Sequence, residues 1–269
     1  MSTQRAPSLS ETVEFRRYQG GAPANLALNV AKLGGRSALI AKTGIGAFGQ
    51  HCRRELSRFG VLIDYLVMDH RVRTTMVFVA RTEGTPDFEV ARQGDAELRA
   101  DEVPDAALDR ARLVHSSAFA LSREPCRSAV RRAFEGARAR GRLVSLDPNY
   151  HPEVWPDLYE ARQVLGELYP LVDLTKPSLD DAERLFGPGD TSEGYVEKFR
   201  SLGARTVVLT AGSGDVLLSH EGRLERFQTP RVEVADATGA GDAFWAGFLV
   251  AWLDGNSPER CLRFAQRVT

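Results

Sequence analysis

The sequence predicts an α/β fold with a central, mostly parallel β-sheet, helices on both faces and one small separate β-sheet. Three observations carry this expectation. Predicted strands feed predicted helices repeatedly along the 269 residues, with no linker, low-complexity segment or fixed repeat between them. The polar motifs fall where predicted strands end, and open parallel sheets hold ligands at those carboxyl ends. Between residues 73 and 92 the period switches to short β segments, which would stand off the main body.

Composition narrows the function classes. The formal net charge is -1 with both signs mixed throughout, so no nucleic-acid or polyanion surface is expected. Cys52, Cys126 and Cys261 lie far apart, as free thiols in a reducing compartment would, and no CxxC or His-rich spacing suggests zinc. The longest apolar run, 243–253, is too short to span a bilayer, and residues 1–17 are polar without an apolar signal core. A soluble cytoplasmic protein is expected.

In chain order, Tyr18-Gln-Gly-Gly-Ala-Pro-Ala-Asn25 opens a helix, with Pro23 tolerated in its first turn and Gly34-Gly35 at its end. Gly20 and Gly21 leave the backbone approachable, so a ligand could sit at Asn25; capping of the loop by Asn25 explains the residue equally well. A strand at 37–41 leads into Thr43-Gly-Ile-Gly-Ala-Phe-Gly49 and a helix that stops at Gly60. Those glycines superficially match a dinucleotide fingerprint, but no well-spaced acidic partner follows, so a nicotinamide-dependent oxidoreductase is disfavoured.

Strands at 74–81 and 87–91, joined by Glu83-Gly-Thr-Pro86, read as a lid or a dimer surface. The alternation then resumes with a strand at 113–116, a helix at 125–140 and a strand at 143–146 that delivers Asp147-Pro-Asn-Tyr-His151, read as a structural turn. A strand at 172–175 delivers Lys176-Pro-Ser178 and a short helix through Phe186, and a strand at 207–210 delivers Ala211-Gly-Ser-Gly214. The helix at 243–253 is apolar on nearly all sides and therefore buried, and Ser257-Pro258 starts a final helix.

The most informative stretch is Asp236-Ala-Thr-Gly-Ala-Gly-Asp242. Gly239, Ala240 and Gly241 bare the backbone where a helix begins, so consecutive N–H groups and the helix dipole can hold an anion. Asp242 at that mouth would repel phosphate unless it took a proton from an attacking hydroxyl. A tight turn capped by Asp236 or Thr238 accounts for the same residues without a ligand.

Two stretches together resemble the signatures of the ribokinase-like carbohydrate kinases, the PfkB family: Gly20-Gly21-Ala-Pro-Ala-Asn25, and Asp236 through Asp242. The resemblance runs from about Tyr18 to the end of the chain and implies a ribokinase-like fold with ATP-dependent phosphorylation of a sugar hydroxyl. It implies Asp242 as general base, Gly239, Ala240 and Gly241 as anion hole, and Gly20, Gly21, Asn25 and Asp236 on the sugar. Lys176, Ser178, Thr210, Gly212 and Gly214 would serve the nucleotide, Mg²⁺ would arrive with ATP near Asp181 through water, and a monovalent cation can accompany it. The residues from Leu146 to Trp155 are similar to fructokinase and 2-keto-3-deoxygluconate kinase members, and Arg92 resembles the latter's sugar-facing arginine; a solvated lid charge is the other reading of Arg92.

Where that family has Asn-x-x-Glu, this chain has Ser178-Leu-Asp-Asp181; His151 replaces an arginine, and Asp215 stands at the nucleotide loop's second glycine. The family's usual first strand and closing C-terminal helices are not expected here, and 1–269 reads as a single domain with the lid at about 70–95. Fructose-like ketoses and 2-keto-3-deoxygluconate lead as substrates, with a nucleoside kinase or a catalytically impaired sugar or nucleotide binder as alternatives and a homodimer through the lid as the implied assembly.

Overall fold

The computed structural model describes residues 1–82, 87–212, 214–229 and 238–268. The first part of the chain forms α1 (Ala22–Lys32), β1 (Ala41–Gly44), α2 (Ala47–Arg58), β2 (Leu66–Asp69), β3 (Met76–Ala80) and β4 (Asp87–Ala91). Then come α3 (Asp105–Arg110), β5 (Leu113–Ser117), α4 (Ala118–Leu121), α5 (Cys126–Ala139), β6 (Leu143–Asp147), α6 (Leu158–Leu168) and β7 (Leu174–Thr175). The remainder is α7 (Leu179–Phe186), α8 (Ser192–Leu202), β8 (Thr206–Leu209), β9 (Val216–His220), β10 (Arg223–Phe227), α9 (Ala240–Leu253) and α10 (Pro258–Val268).

Six strands form one sheet in the order β10-β9-β8-β7-β6-β5. β5 to β8 run parallel, and β9 is antiparallel to both its neighbours. Helices cover both faces, so the central strands are apolar on both sides. In β8, Val207 and Leu209 enter a core with Phe134 of α5, Leu165 of α6 and Phe199 of α8, whereas Val208 enters a second core with Trp245 and Phe248 of α9 and Leu262 of α10. α9 is buried on nearly every side, as its composition requires. Gly247 lets α10 approach closely, since a Cβ there would lie 3.1 Å from Ala265 Cα.

The small separate sheet expected as a lid is present as β3 and β4, paired antiparallel from Met76↔Ala91 to Ala80↔Asp87 and apart from the main sheet. Its expected turn, 83–86, lies outside the described residues. Residues 1–17, expected only as a polar leader, are laid along the lid: Ser2 N–H donates to Val79 O at 2.8 Å, Ala6 N–H to Arg81 O at 3.0 Å, and Phe15 meets Phe78 edge-on at 5.6 Å. Among the described residues no helix is long and apolar enough to cross a membrane.

Several boundaries differ from expectation. The strand expected at 37–41 is only an isolated bridge, Ala38↔Leu62, and β1 proper runs from Ala41 into Gly44. It can do so because Gly44 is bare; a Cβ there would fall 2.6 Å from the Val72 carbonyl oxygen. α9 begins at Ala240 rather than 243, because Gly239 caps it in the left-handed conformation at φ 81°. The β9–β10 hairpin was not anticipated: β10 is an exposed, charged edge strand, and its two-residue turn uses Glu221 and Gly222 at φ 48° and 78°. α6 and α8 were also unanticipated, although Asp157 and Thr191 cap them with side-chain bonds to Glu160 N and Gly194 N.

Gly49 of the Gly44 to Gly49 loop is required by a backbone contact: a Cβ on it would lie 1.7 Å from Gly44 O, whereas one on Gly46 would meet nothing within 4 Å. Gly49→Ala is therefore expected to cost about 1–3 kcal/mol by overpacking and Gly46→Ala under about 1 kcal/mol, read as the urea midpoints of the two variants.

Candidate active site

The carboxyl ends of the parallel strands converge with the N-terminus of α9. β6 ends in Asp147, β7 hands its chain to Lys176, and β8 leads to Thr210. Thr210 is tied back by its backbone, with Thr210 N–H donating to Pro177 O at 3.0 Å and Leu179 N–H to Thr210 O at 2.8 Å, which joins the two loops.

At the α9 terminus, Gly239 turns the chain and the first-turn N–H groups of Ala240, Gly241 and Asp242 have no carbonyl one turn earlier within the helix. Lys176 lies directly beside them: a Cβ on Gly241 would be 3.4 Å from its Nζ. The Lys176 ammonium is itself buried and pairs with Asp147 Oδ2 at 3.2 Å. Burial pulls the ammonium down, but Asp147, Asp181 and Asp242 outweigh it and hold Lys176 above its usual range. Burial pushes the Asp147 carboxyl up to about 7 against the pull of Lys176, with Asp181 and Asp242 adding repulsion.

Asp242 is half-buried, and that burial raises its carboxyl while Asn25 and Lys176 hold it down. Asn25 Nδ2 donates to Asp242 Oδ2 at 2.9 Å, joining positions 217 apart in sequence. Asn25 reaches this point because Gly21, at φ 98°, turns the chain into α1 and Pro23 opens the helix. No atom lies within 4 Å of a Cβ built on Gly20 or Gly21, so both glycines leave open space next to the motif.

Ser178 and Asp181 form a reciprocal cap on α7: Asp181 Oδ2 accepts from Ser178 N–H at 2.9 Å and Ser178 Oγ at 2.6 Å, while Asp181 N–H donates to Ser178 Oγ at 3.0 Å. Asp181 Oδ1 accepts from Tyr150 N–H at 2.8 Å. Three donors thus occupy this buried carboxylate and staple α7 to the turn after β6. Gly212 takes φ 56° and Gly214 N–H closes a turn on Ala211 O at 2.8 Å. Asp236 and Ser213 lie outside the described residues.

Arg92 is not a solvated lid charge, since its side chain is 2% exposed. Its Nε donates to Asp95 Oδ2 at 2.9 Å, Nη1 donates to Ser122 Oγ, and the guanidinium lies 4.4 Å over the Phe119 ring. Nη2 has no hydrogen-bond partner among the described residues. Arg92 borders a cleft of about 560 Å³ together with Lys42, Arg71 and Arg123.

Asp147 is the residue that sequence reasoning missed. Its Oδ1 closes the expected Asp-Pro-Asn turn by accepting from Asn149 N–H at 3.2 Å, and its Oδ2 holds Lys176, so one carboxylate does both. A carboxylate at the end of one strand and a lysine just past the end of the next were the available signal. The lid meets the same turn, with Phe88 4.7 Å from the His151 ring.

A helix N-terminus with a buried ammonium behind it and a carboxylate in its first turn is an arrangement that suits phosphoryl transfer to a hydroxyl. The pfkB family carbohydrate kinase profile matches residues 1–269, and the chain belongs to that family. It is 34% identical over 255 residues to the ATP-dependent 6-phosphofructokinase of Thermoanaerobacterium thermosaccharolyticum, covering 95% of this chain and 79% of that protein. Its fold is similar to Halothermothrix orenii fructokinase, with TM-score 0.87, 36% identity and coverage of 99% and 92% of the two chains. It is also similar to Vibrio cholerae fructokinase with bound fructose, ADP and calcium ion, with TM-score 0.82, 28% identity and coverage of 92% and 82%. The fold is ribokinase-like.

Replacing Lys176 by Met strands Asp147 in the interior. Because the Asp147 carboxyl is raised, its favourable neutral form is present at low pH and lost as pH rises through about 7. Lys176→Met is expected to cost about 3–5 kcal/mol at pH 8 and clearly less at pH 6, measured as melting temperature against pH beside the unmodified chain.

Proposed function

We propose that this carbohydrate kinase phosphorylates a neutral, fructose-like ketose, with Asp242 as the base and the N-terminus of α9 as the anion hole. The observation that carries the reading is the placement of Asp242 in the same helical turn as the exposed N–H groups, with Lys176 behind Gly241. The acceptor O–H would lose its proton to Asp242 as its oxygen bonds to the γ-phosphorus and ADP leaves. Ala240, Gly241 and the glycine turn before them would take the charge on the transferring group, and the buried Lys176 would reinforce it without competing hydration. Gly20 and Gly21 would let the sugar approach the backbone, with Asp236 as a further sugar contact.

Thr210, Gly212 and Gly214 would line the nucleotide, and Ser178 would shape that loop through its cap on α7. Among the described residues no three His, Cys, Asp or Glu side chains gather as a metal cage. With Asp181 already holding three donors, Mg²⁺ fits as an ion carried by the nucleotide, with Asp181 reached through water. MgATP supplies the γ-phosphoryl group, and a monovalent cation would add charge neutralisation near it.

The choice of a neutral ketose over 2-keto-3-deoxygluconate rests on Arg92 and His151. Asp95 already neutralises the Arg92 guanidinium, and His151, whose imidazole burial and Arg184 hold below its usual range, offers no cation for a substrate carboxylate. The described lid residues put Phe88 on His151, so that ring is engaged within the chain.

ADP release with MgATP, measured against fructose, fructose 6-phosphate, 2-keto-3-deoxygluconate and nucleosides, tests the reading. Fructose-dependent turnover that falls roughly 10²–10⁴-fold in Asp242→Asn, with ATP binding retained, is the expected result; turnover unchanged by the substitution overturns it. A homodimer through the lid belongs to the same reading, supported by Val77 and Phe78 on β3, which leave apolar surface open. Sedimentation velocity is expected to give the dimer mass, and Val77→Lys with Phe78→Lys the monomer mass.

A further inference from the structure

The motif containing Asn25 points to the sugar, yet in the structure the Asn25 side chain points to the base. Its amide is committed to Asp242 Oδ2 at 2.9 Å, while its own N–H is fixed to Gly21 O at 2.8 Å in the first turn of α1. α1 in turn lies against α9, which carries Asp242, and Leu26 of α1 enters the same core as Phe244 and Trp245 of α9. Two packed helices therefore hold donor and acceptor at fixed separation.

From this geometry we propose that Asn25 is a positioning residue for Asp242, holding Oδ2 and reserving Oδ1 for the proton of the acceptor hydroxyl. The inference rests on the reading of Asp242 as base and extends it. An aspartate in a first helical turn turns freely about two side-chain bonds, whereas a base needs one lone pair aimed at one proton. One hydrogen bond from a rigid helix removes that freedom. An uncharged donor suits the task, because a second cation beside Asp242 would depress its basicity while Lys176 already faces it.

The charged groups that face Asp242 are the Lys176 ammonium from the loop after β7 and the Asp147 carboxyl at the end of β6. Burial raises the Asp242 carboxyl, and Asn25 and Lys176 oppose that rise. The sign follows: loss of the Asn25 donor lets the carboxyl rise, so the base protonates at higher pH and the acidic limb of the rate profile moves up.

The test is the pH dependence of kcat/KM and kcat, at saturating MgATP and varied sugar, for the unmodified chain, Asn25→Leu, Asn25→Asp and Asp242→Asn. In Asn25→Leu the acidic limb of kcat/KM should move up by roughly one unit or more, the size of one lost hydrogen bond to a charged group, with kcat reduced about tenfold or more at neutral pH. In Asn25→Asp two carboxyls share the contact and cannot both ionise, so the limb should move further. Near-isosteric Asn25→Asp decides the matter if Asn25→Leu fails to fold by circular dichroism. An acidic limb that stays in place while only the sugar KM rises makes Asn25 a sugar ligand and overturns the inference with the base reading intact. Full turnover in Asp242→Asn overturns the base reading itself, and this inference with it.

Discussion

The burial of α9 is the constraint on which the rest depends. A helix apolar on nearly every side can exist in water only inside the molecule, and here α1, α10 and the sheet enclose it. Its N-terminus cannot be enclosed in the same way, because the first-turn N–H groups need partners and the helix supplies none. Burying the body while leaving that end at the carboxyl edge of the parallel strands puts free helix N–H groups where the proposed function needs an anion site. Gly239 then follows from geometry, since it needs a positive φ to enter the helix, while Gly241 brings the bare backbone next to Lys176.

Electrostatics at that edge are balanced inside the fold. Asp147, Asp181 and Asp242 surround a single buried ammonium, Lys176, which would be costly to desolvate without them. Asp181 is satisfied by three donors, Asp147 by Lys176 and its own turn, and Asp242 by Asn25. The three carboxylates are thus differentiated by their partners. Asp181 is locked into a cap, Asp147 is tied to the lysine, and Asp242 is held at one oxygen by a neutral amide.

How much of this was legible follows from the range of each interaction. The α/β alternation, the strands of the small separate sheet and the buried helix at 243–253 were readable because periodicity and glycine punctuation are local, and the glycine motif at 239–241 marked the start of α9. α6, α8 and the β9–β10 hairpin escaped because their signals were single capping residues and an edge strand whose exposed face reads as polar. Arg92 illustrates the limit in the site: its charge suggested exposure or a ligand, and only the fold brings Asp95, Ser122 and Phe119 around it. The pairings Asn25–Asp242 and Asp147–Lys176 were likewise invisible, since each joins strand or helix ends whose neighbours are set by topology.

The same contacts connect the small sheet of β3 and β4 to the N-terminus of α9 without a continuous secondary element. Phe88 of β4 rests on His151, which belongs to the turn that Asp147 closes; Asp147 holds Lys176, and Lys176 stands behind Gly241. Asp181 reinforces the chain by binding Tyr150 N–H in that turn while capping α7, the helix that follows Lys176. A displacement of β4 against His151 would therefore bear on a turn whose carboxylate is hydrogen-bonded at one oxygen and ion-paired at the other. Because that ion pair is buried, its free energy changes steeply with distance, so the packing of β4 against His151 bears on the position of the ammonium beside Gly241 through two side chains and one turn.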